Sequence, residues 1–253
     1  MPSGRNQPIR LSRQGRPASG NIVILTGAGI SRESGLHTFR DADGIWATVS
    51  VDDVATPRAF LRNPVRVHDF YNARRRALLS GTIRPNEAHF ALANLQRAWT
   101  GSVHIVTQNI DDLHERAGSV DVIHMHGELL KARCSRCQTV VRCVDDLSTQ
   151  TNCPSCEASA GMRPDVVWFG EMPMHLDKIQ QALEEADLFL SIGTSGTVYP
   201  AAGFVEIARN RGIYTAELNL EGSANASIFD EAFYGPATVV VTQYVQELLG
   251  AAE

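Results

Sequence analysis

The sequence predicts an α/β fold built on a doubly wound, mostly parallel sheet, interrupted by one small inserted module. Three observations carry this reading. Short apolar runs rich in β-branched residues alternate with segments of helical patterning, the signature of strands joined by crossover helices. The first run passes directly into Gly27-Ala28-Gly29, a strand-to-helix turn that suits the carboxyl edge of such a sheet. Between residues 127 and 164 the alternation stops, and a stretch rich in Cys, Arg, Ser and Thr takes its place.

Taken in order, the strand candidates are residues 21–26, 103–107, 122–125, 188–192, 213–218 and 238–242. Residues 64–80 read as a helix, because Pro64 suits a first helical position and Val67, Phe70, Tyr71 and Leu78 recur at helical intervals. Asn86 caps a second helix that runs to about Trp99. Residues 19–253 therefore read as one Rossmann-like domain carrying the module at 127–164. Residues 1–18 read as a disordered basic tail, since Arg5, Arg10, Arg13 and Arg16 fall there and nothing before Glu33 is acidic. An organellar transit peptide has similar composition, but the tail lacks apolar helical periodicity.

Composition narrows the function classes. With 43% hydrophobic and 20% charged residues the chain is globular, and no apolar run approaches the roughly 18–20 residues that a membrane span requires. A net charge of -5 argues against a protein that neutralises phosphates, so small molecules and proteins, not nucleic acids, are the expected partners. Four of the five cysteines form two Cys-x-x-Cys pairs and no export signal is visible, which favours metal binding in a reducing, cytoplasmic setting over disulfides.

The motifs add chemistry. The turn Gly27-Ala28-Gly29-Ile30-Ser31 would offer free N–H groups to a phosphate, but it departs from the G-x-G-x-x-G fingerprint. Arg32 holds the third glycine position, and residues 38–46 look like a loop where a dehydrogenase would carry a second strand ending in an acid. A tight turn without ligand is the plain alternative, and hydride transfer fits poorly. The run 103–107 ends in Gln108-Asn109-Ile110-Asp111-Asp112, where Asp111 or Asp112 could equally cap a helix. Two more strands end in Gly193-Thr194-Ser195 and Asn219-Leu220-Glu221; three polar strand ends on one edge favour a nucleotide crevice. His124 and His126 share a strand face, and His126 beside Gly127 sits where a general base can meet substrate. Cys134-x-x-Cys137 is followed after fifteen residues by Cys153-x-x-Cys156, zinc-ribbon spacing for one closed, structural zinc ion; Cys143 is a spare thiol.

This constellation resembles the sirtuin family over essentially residues 22–249. Gly27 to Ser31 with Ser34-Gly35 and Phe39-Arg40, then Thr107 to Asp111, His126-Gly127, the paired cysteines and Gly193-Thr194-Ser195 occur in the family's order. Tyr71-Asn72-Ala73-Arg74-Arg75-Arg76 and Val167-Trp168-Phe169-Gly170-Glu171 look like the bacterial deacylases often called class III. The resemblance implies NAD as a consumed co-substrate and acyl-lysine proteins or peptides as partners. It places the cofactor at Gly27, Ala28, Gly29, Ser31, Phe39, Arg40 and Trp46, at Gln108, Asn109, Ile110 and Asp111, and at Gly193, Thr194, Ser195, Asn219, Leu220, Glu221 and Ala237. His126 would deprotonate a ribose hydroxyl after the acyl oxygen has displaced nicotinamide, giving nicotinamide, O-acyl-ADP-ribose and free lysine. Val167, Phe169 and Gly170 would meet the peptide, with the segment 167–171 offering an edge for an added strand.

Tyr71 and Arg74 lie three residues apart on one helix face, and a phenol beside a guanidinium suits a terminal carboxylate. A run of three arginines ordinarily forms a solvated face, but in the resembling family Tyr-x-x-Arg marks an acyl pocket, which implies succinyl-lysine as well as acetyl-lysine. Two other readings stay open on the sequence: a protein ADP-ribosyltransferase, and a non-enzymatic NAD-sensing or zinc-ribbon module.

Overall fold

The computed structural model describes residues 19–36 and 49–251. The basic tail expected at 1–18 lies outside the described residues, as do Phe39, Arg40 and Trp46.

Strand β1 (Ile22–Thr26) leads into a short 3-10 helix, Ala28–Ser34. Helices α1 (Val51–Val54), α2 (Pro57–Arg62), α3 (Pro64–Leu79) and α4 (Glu87–Ala98) follow, then β2 (Val103–Thr107), α5 (Leu113–Arg116) and β3 (Ile123–His124). Strands β4 (Gly127–Cys134), β5 (Val140–Arg142) and β6 (Met162–Val166) come next. The chain then runs through α6 (Leu176–Glu184), β7 (Leu188–Ile192), α7 (Phe204–Asn210), β8 (Tyr214–Asn219), β9 (Glu231–Tyr234) and α8 (Ala237–Ala251). Two helix starts are read directly from side chains: Asn63 accepts from Arg66 N at 3.1 Å, and Asn86 from Ala88 N at 3.0 Å.

The large sheet has the order β3-β2-β1-β7-β8-β9, and its pairings are parallel. From β1 the chain builds outward through β2 and β3, then returns to the other side of β1 with β7. The switch point between β1 and β7 opens a crevice at their carboxyl ends. Burial on both faces explains the unbroken apolar runs: Ile22 and Ile24 pack beneath α4 and α8 with Leu92, Leu95 and Val241, while Val23 and Leu25 pack beneath α6 and α7 with Leu183 and Phe204. Each such side chain contributes about 1.5–3 kcal/mol on burial.

One strand assignment is corrected. Residues 238–242 are the first turns of helix α8, not a strand, and the edge strand is β9 instead. The β-branched run Thr238-Val239-Val240-Val241-Thr242 misleads because tertiary burial outweighs local propensity. Val240, Val241, Tyr244, Val245 and Leu248 are buried, the spacing of a helix face, whereas Val239 is 37% exposed.

The small antiparallel sheet has the order β5-β4-β6, with a bulge in the β4–β6 ladder between Glu128 and Ala132. It is built at two levels. Leu129 and Val166 pack against Val54, Ala59, Val67, Tyr71 and Trp168, tying the sheet to α1–α3. Beyond the bulge, Ala132 and Met162 join Cys134, Cys143, Leu147 and Cys153 in a separate cluster. Among the described residues no helix is long and apolar enough to cross a membrane.

Candidate active site

The turns after β1 and β7 touch, and glycine makes the contact possible. Gly29 N donates to Gly193 O at 2.8 Å, and a Cβ on Gly29 would lie 2.7 Å from Gly193 Cα. Gly193 is itself left-handed (φ +62°), and a Cβ there would sit 2.4 Å from Ile30 N. The element that follows is a 3-10 helix, and the Gly29 N–H is spent on the crossing.

A cavity of about 890 Å³ runs from this crossing to the α3 face. The polar strand ends that line it hold one another. Gln108 Nε2 donates to Thr194 Oγ1 at 3.0 Å, Asn219 Nδ2 to Thr194 O at 2.9 Å, and Asn109 Nδ2 to Gly27 O at 3.1 Å. Ala28, Ile110, Ser195, Leu220, Glu221 and Ala237 complete that end. Ser31 and Asp111 do not line the cavity; they lie behind its wall, where Ser31 Oγ donates to Asp111 Oδ2 at 3.2 Å and Asn109 Nδ2 donates to Ser31 Oγ at 3.2 Å. Asp111 also accepts from Leu113 N at 3.1 Å, so it serves the helix start as well as the wall. Burial raises its carboxyl to about 6.

His126 follows β3 and lines the centre of the cavity. Its Nδ1 lies 3.0 Å from Gln108 O, which can only accept, so the proton sits on Nδ1 and Nε2 is left basic. Burial lowers its pKa, keeping the ring neutral around pH 7. His124 turns away: Nε2 meets Glu115 at 2.6 Å and it takes no part in the cavity lining.

The other end of the cavity is lined by Phe70, Tyr71, Arg74 and the segment 166–171. Arg74 Nη1 donates to Phe70 O at 3.1 Å and its guanidinium carbon lies 3.3 Å from the Phe70 ring centroid, yet its buried Nε has no partner. Burial lowers its pKa to about 10, which leaves it charged at neutral pH. The stretch expected to offer a strand edge, 167–171, is a turn: Val167 N donates to His126 O and Phe169 N to Ala55 O, both at 2.9 Å, and Gly170 is left-handed. Those two N–H groups fasten one edge of the segment to the chain, to the residue before β4 and to the end of α1.

Cys134, Cys137, Cys153 and Cys156 bring their Sγ atoms within 4.8 Å of one another. The Cys134–Cys156 and Cys137–Cys153 separations, 3.8 and 3.6 Å, match the edge of about 3.8 Å expected of a tetrahedron with Zn–S bonds of about 2.3 Å, and are far too long for disulfides. The donor set fits one zinc ion with a closed coordination shell. Cys143 stands apart, its thiol directed to Asp145 O.

The sequence pattern of the Sir2 family matches residues 27–200, from the first glycine turn through the paired cysteines to the turn after β7. The chain belongs to the Sir2 family. Among its relatives in that family, an NAD-dependent protein deacylase of Vibrio cholerae is 55% identical over 231 residues, covering 91% of this chain and 94% of its own. One of Escherichia coli (strain K12) is 55% identical over 228 residues, covering 90% of this chain and 82% of its own. A Sir2 homologue solved with NAD superposes with a TM-score of 0.84 at 36% identity, covering 93% of this chain and 92% of that one. A Sir2–p53 peptide–NAD complex gives 0.73 at 29%, covering 91% and 92%. In this Sir2 protein the lining also includes Trp168, Tyr199 and Pro236, which motif reading passed over. Trp168 belongs to the Val167–Glu171 motif, and only its contacts single it out within it.

Proposed function

We propose that this crevice removes acetyl and succinyl groups from protein lysines at the expense of NAD, releasing nicotinamide, O-acyl-ADP-ribose and free lysine. The observation that supports it best is His126: a neutral imidazole with one basic nitrogen, set between the linked strand ends and the Tyr71–Arg74 pocket. NAD, when bound, supplies an anomeric carbon bearing a good leaving group. The protein's own groups then do three things. Gln108, Asn109 and Ile110 hold the nicotinamide and ribose side, backed by Ser31 and Asp111, while Ser195, Asn219, Leu220 and Glu221 hold the adenosine side. Nε2 of His126 takes a proton from a ribose hydroxyl, which makes that oxygen the nucleophile toward the transferred acyl group. Arg74, charged and with an unpartnered Nε, pairs with the terminal carboxylate of a succinyl group, and the peptide docks along Val167, Phe169 and Gly170. The four thiolates hold zinc away from this chemistry, and a reducing cytoplasm suits them.

The test is nicotinamide release with an acyl-lysine peptide and NAD. His126→Ala is expected to lower turnover by about 10²–10⁴-fold while NAD binding persists. Near wild-type turnover in that variant would remove the base from His126, and label from NAD appearing on protein would make the chain a transferase of ADP-ribose.

A further inference from the structure

We propose that Trp168 is a positioning residue for acyl selectivity: its indole N–H sets the direction of the Tyr71 hydroxyl, and so favours acyl groups that end in a carboxylate. The inference rests on the acyl reading above.

Trp168 Nε1 donates to the Tyr71 oxygen at 3.1 Å, and both side chains are buried, 2% and 5% exposed. A phenol hydrogen lies near the ring plane in one of two settings. With an N–H pointed at one side of the oxygen, the hydrogen is turned to the other. Among the described residues no protein acceptor takes it, so the hydroxyl is left as a donor for whatever occupies the cavity that Tyr71 lines. Burial pushes the phenol well above its ordinary range, so it stays protonated at working pH. One turn along α3, the charged guanidinium of Arg74 lines the same cavity. A carboxylate there meets one charged and one neutral donor, whereas an acyl group ending in a methyl meets neither need.

The indole is itself held. Arg163 on β6 lies with its guanidinium carbon 3.4 Å from the Trp168 ring centroid. Arg163 Nη1 and Nη2 donate to Glu171 Oε1 and Oε2 at 2.7 and 2.9 Å, and Glu171 Oε2 also accepts from Trp168 N at 2.8 Å. The indole is thus clamped through its face and its backbone, a closed set of contacts that fixes where the N–H points. Its burial accounts for packing, but packing does not require the N–H to meet the hydroxyl of Tyr71, a residue that lines the cavity.

The experiment compares kcat and KM on one peptide carrying succinyl or acetyl, each variant's two substrates measured on the same preparation. Trp168→Phe keeps the ring and deletes the donor. It is expected to lower the succinyl-to-acetyl ratio of kcat/KM about three- to tenfold, the span of one neutral hydrogen bond, chiefly through the succinyl KM. In a Tyr71→Phe background the same change should leave the ratio where Tyr71→Phe alone puts it. Arg163→Gln, which leaves both rings intact and loosens the clamp, is the second variant should Trp168→Phe fold poorly; it is expected to shift the ratio the same way. A ratio unmoved by both variants, or a Trp168→Phe effect undiminished without the Tyr71 hydroxyl, overturns the proposal. Arg74→Met separates the two levels. If it lowers the ratio and the Trp168 and Arg163 variants do not, the acyl reading stands and this inference fails; if Arg74→Met leaves the ratio unchanged, both fall.

Discussion

Three consecutive arginines on α3 meet three fates, and those fates follow from where a helix turns each side chain. Arg76 is exposed and paired with Asp146. Arg75 is fully buried, donating to Leu129 O at 3.1 Å and Asn72 Oδ1 at 2.8 Å, where it fastens α3 to β4. Arg74, half-buried on the cavity side, has no carboxylate partner among the described residues and one orphaned N–H. Arg74, unlike Arg75, lines the cavity, where a ligand carboxylate gives its guanidinium a charge-assisted partner. Arg74→Met is therefore expected to reduce succinyl-lysine cleavage at least tenfold more than acetyl-lysine cleavage of the same peptide, a loss of about 1.5–3 kcal/mol on the charged substrate. Equal losses on both peptides would mean that Arg74 does not read acyl charge.

At the level of elements, the zinc cluster and the last helix each separate two readings of one stretch of sequence. The sulfur tetrahedron joins the two Cys-x-x-Cys turns and omits Cys143, so replacing Cys134, Cys137, Cys153 or Cys156 with Ala should release the metal and lower the melting temperature. Cys143→Ala should keep one zinc per chain; metal analysis showing equal loss from that variant would contradict the assignment. In α8 the two periodicities differ at neighbouring valines. A strand would put Val239 and Val241 on one face, whereas the helix exposes Val239 and buries Val241 at 1% exposure. Val241→Ala should cost about 1–3 kcal/mol in urea unfolding, and Val239→Ala less than about 0.5 kcal/mol. Matching costs at the two sites would favour strand-like packing.

At the scale of the whole molecule, the buried polar layer behind the crevice makes stability depend on pH. Burial lowers His89 to about 4 and His114 well below 6.5, so both are neutral in the folded chain. Between about pH 6.5 and 4 the unfolded chain binds protons that the folded one refuses, and stability is lost as pH falls through that window. Asp111, raised to about 6, and His124, raised by its hydrogen bond to Glu115 against the effect of burial, oppose this, but His68, His126 and His175, all lowered by burial, act with His89 and His114. The urea midpoint should drop between pH 7 and 5, and His89→Gln should flatten that drop; an unchanged slope would show that His89 does not bear it. The sequence by itself determined the parallel α/β architecture, because strands buried on both faces must be apolar throughout, as Ile22 to Leu25 are. It also determined α3 and α4, whose starts are written in Pro64 and Asn86, and the grouping of the four cysteines, whose paired spacing is local. Tertiary structure decided what sequence distance conceals. Residues 238–242 became helix because α4 and β8 offered an apolar surface to a helical face. Ser31 and Asp111 fell behind the cavity wall because the turns of β1 and β2 interlock there. Trp168 acquired its role only when β6 brought its N–H to a hydroxyl 97 residues away, a contact that no periodicity encodes.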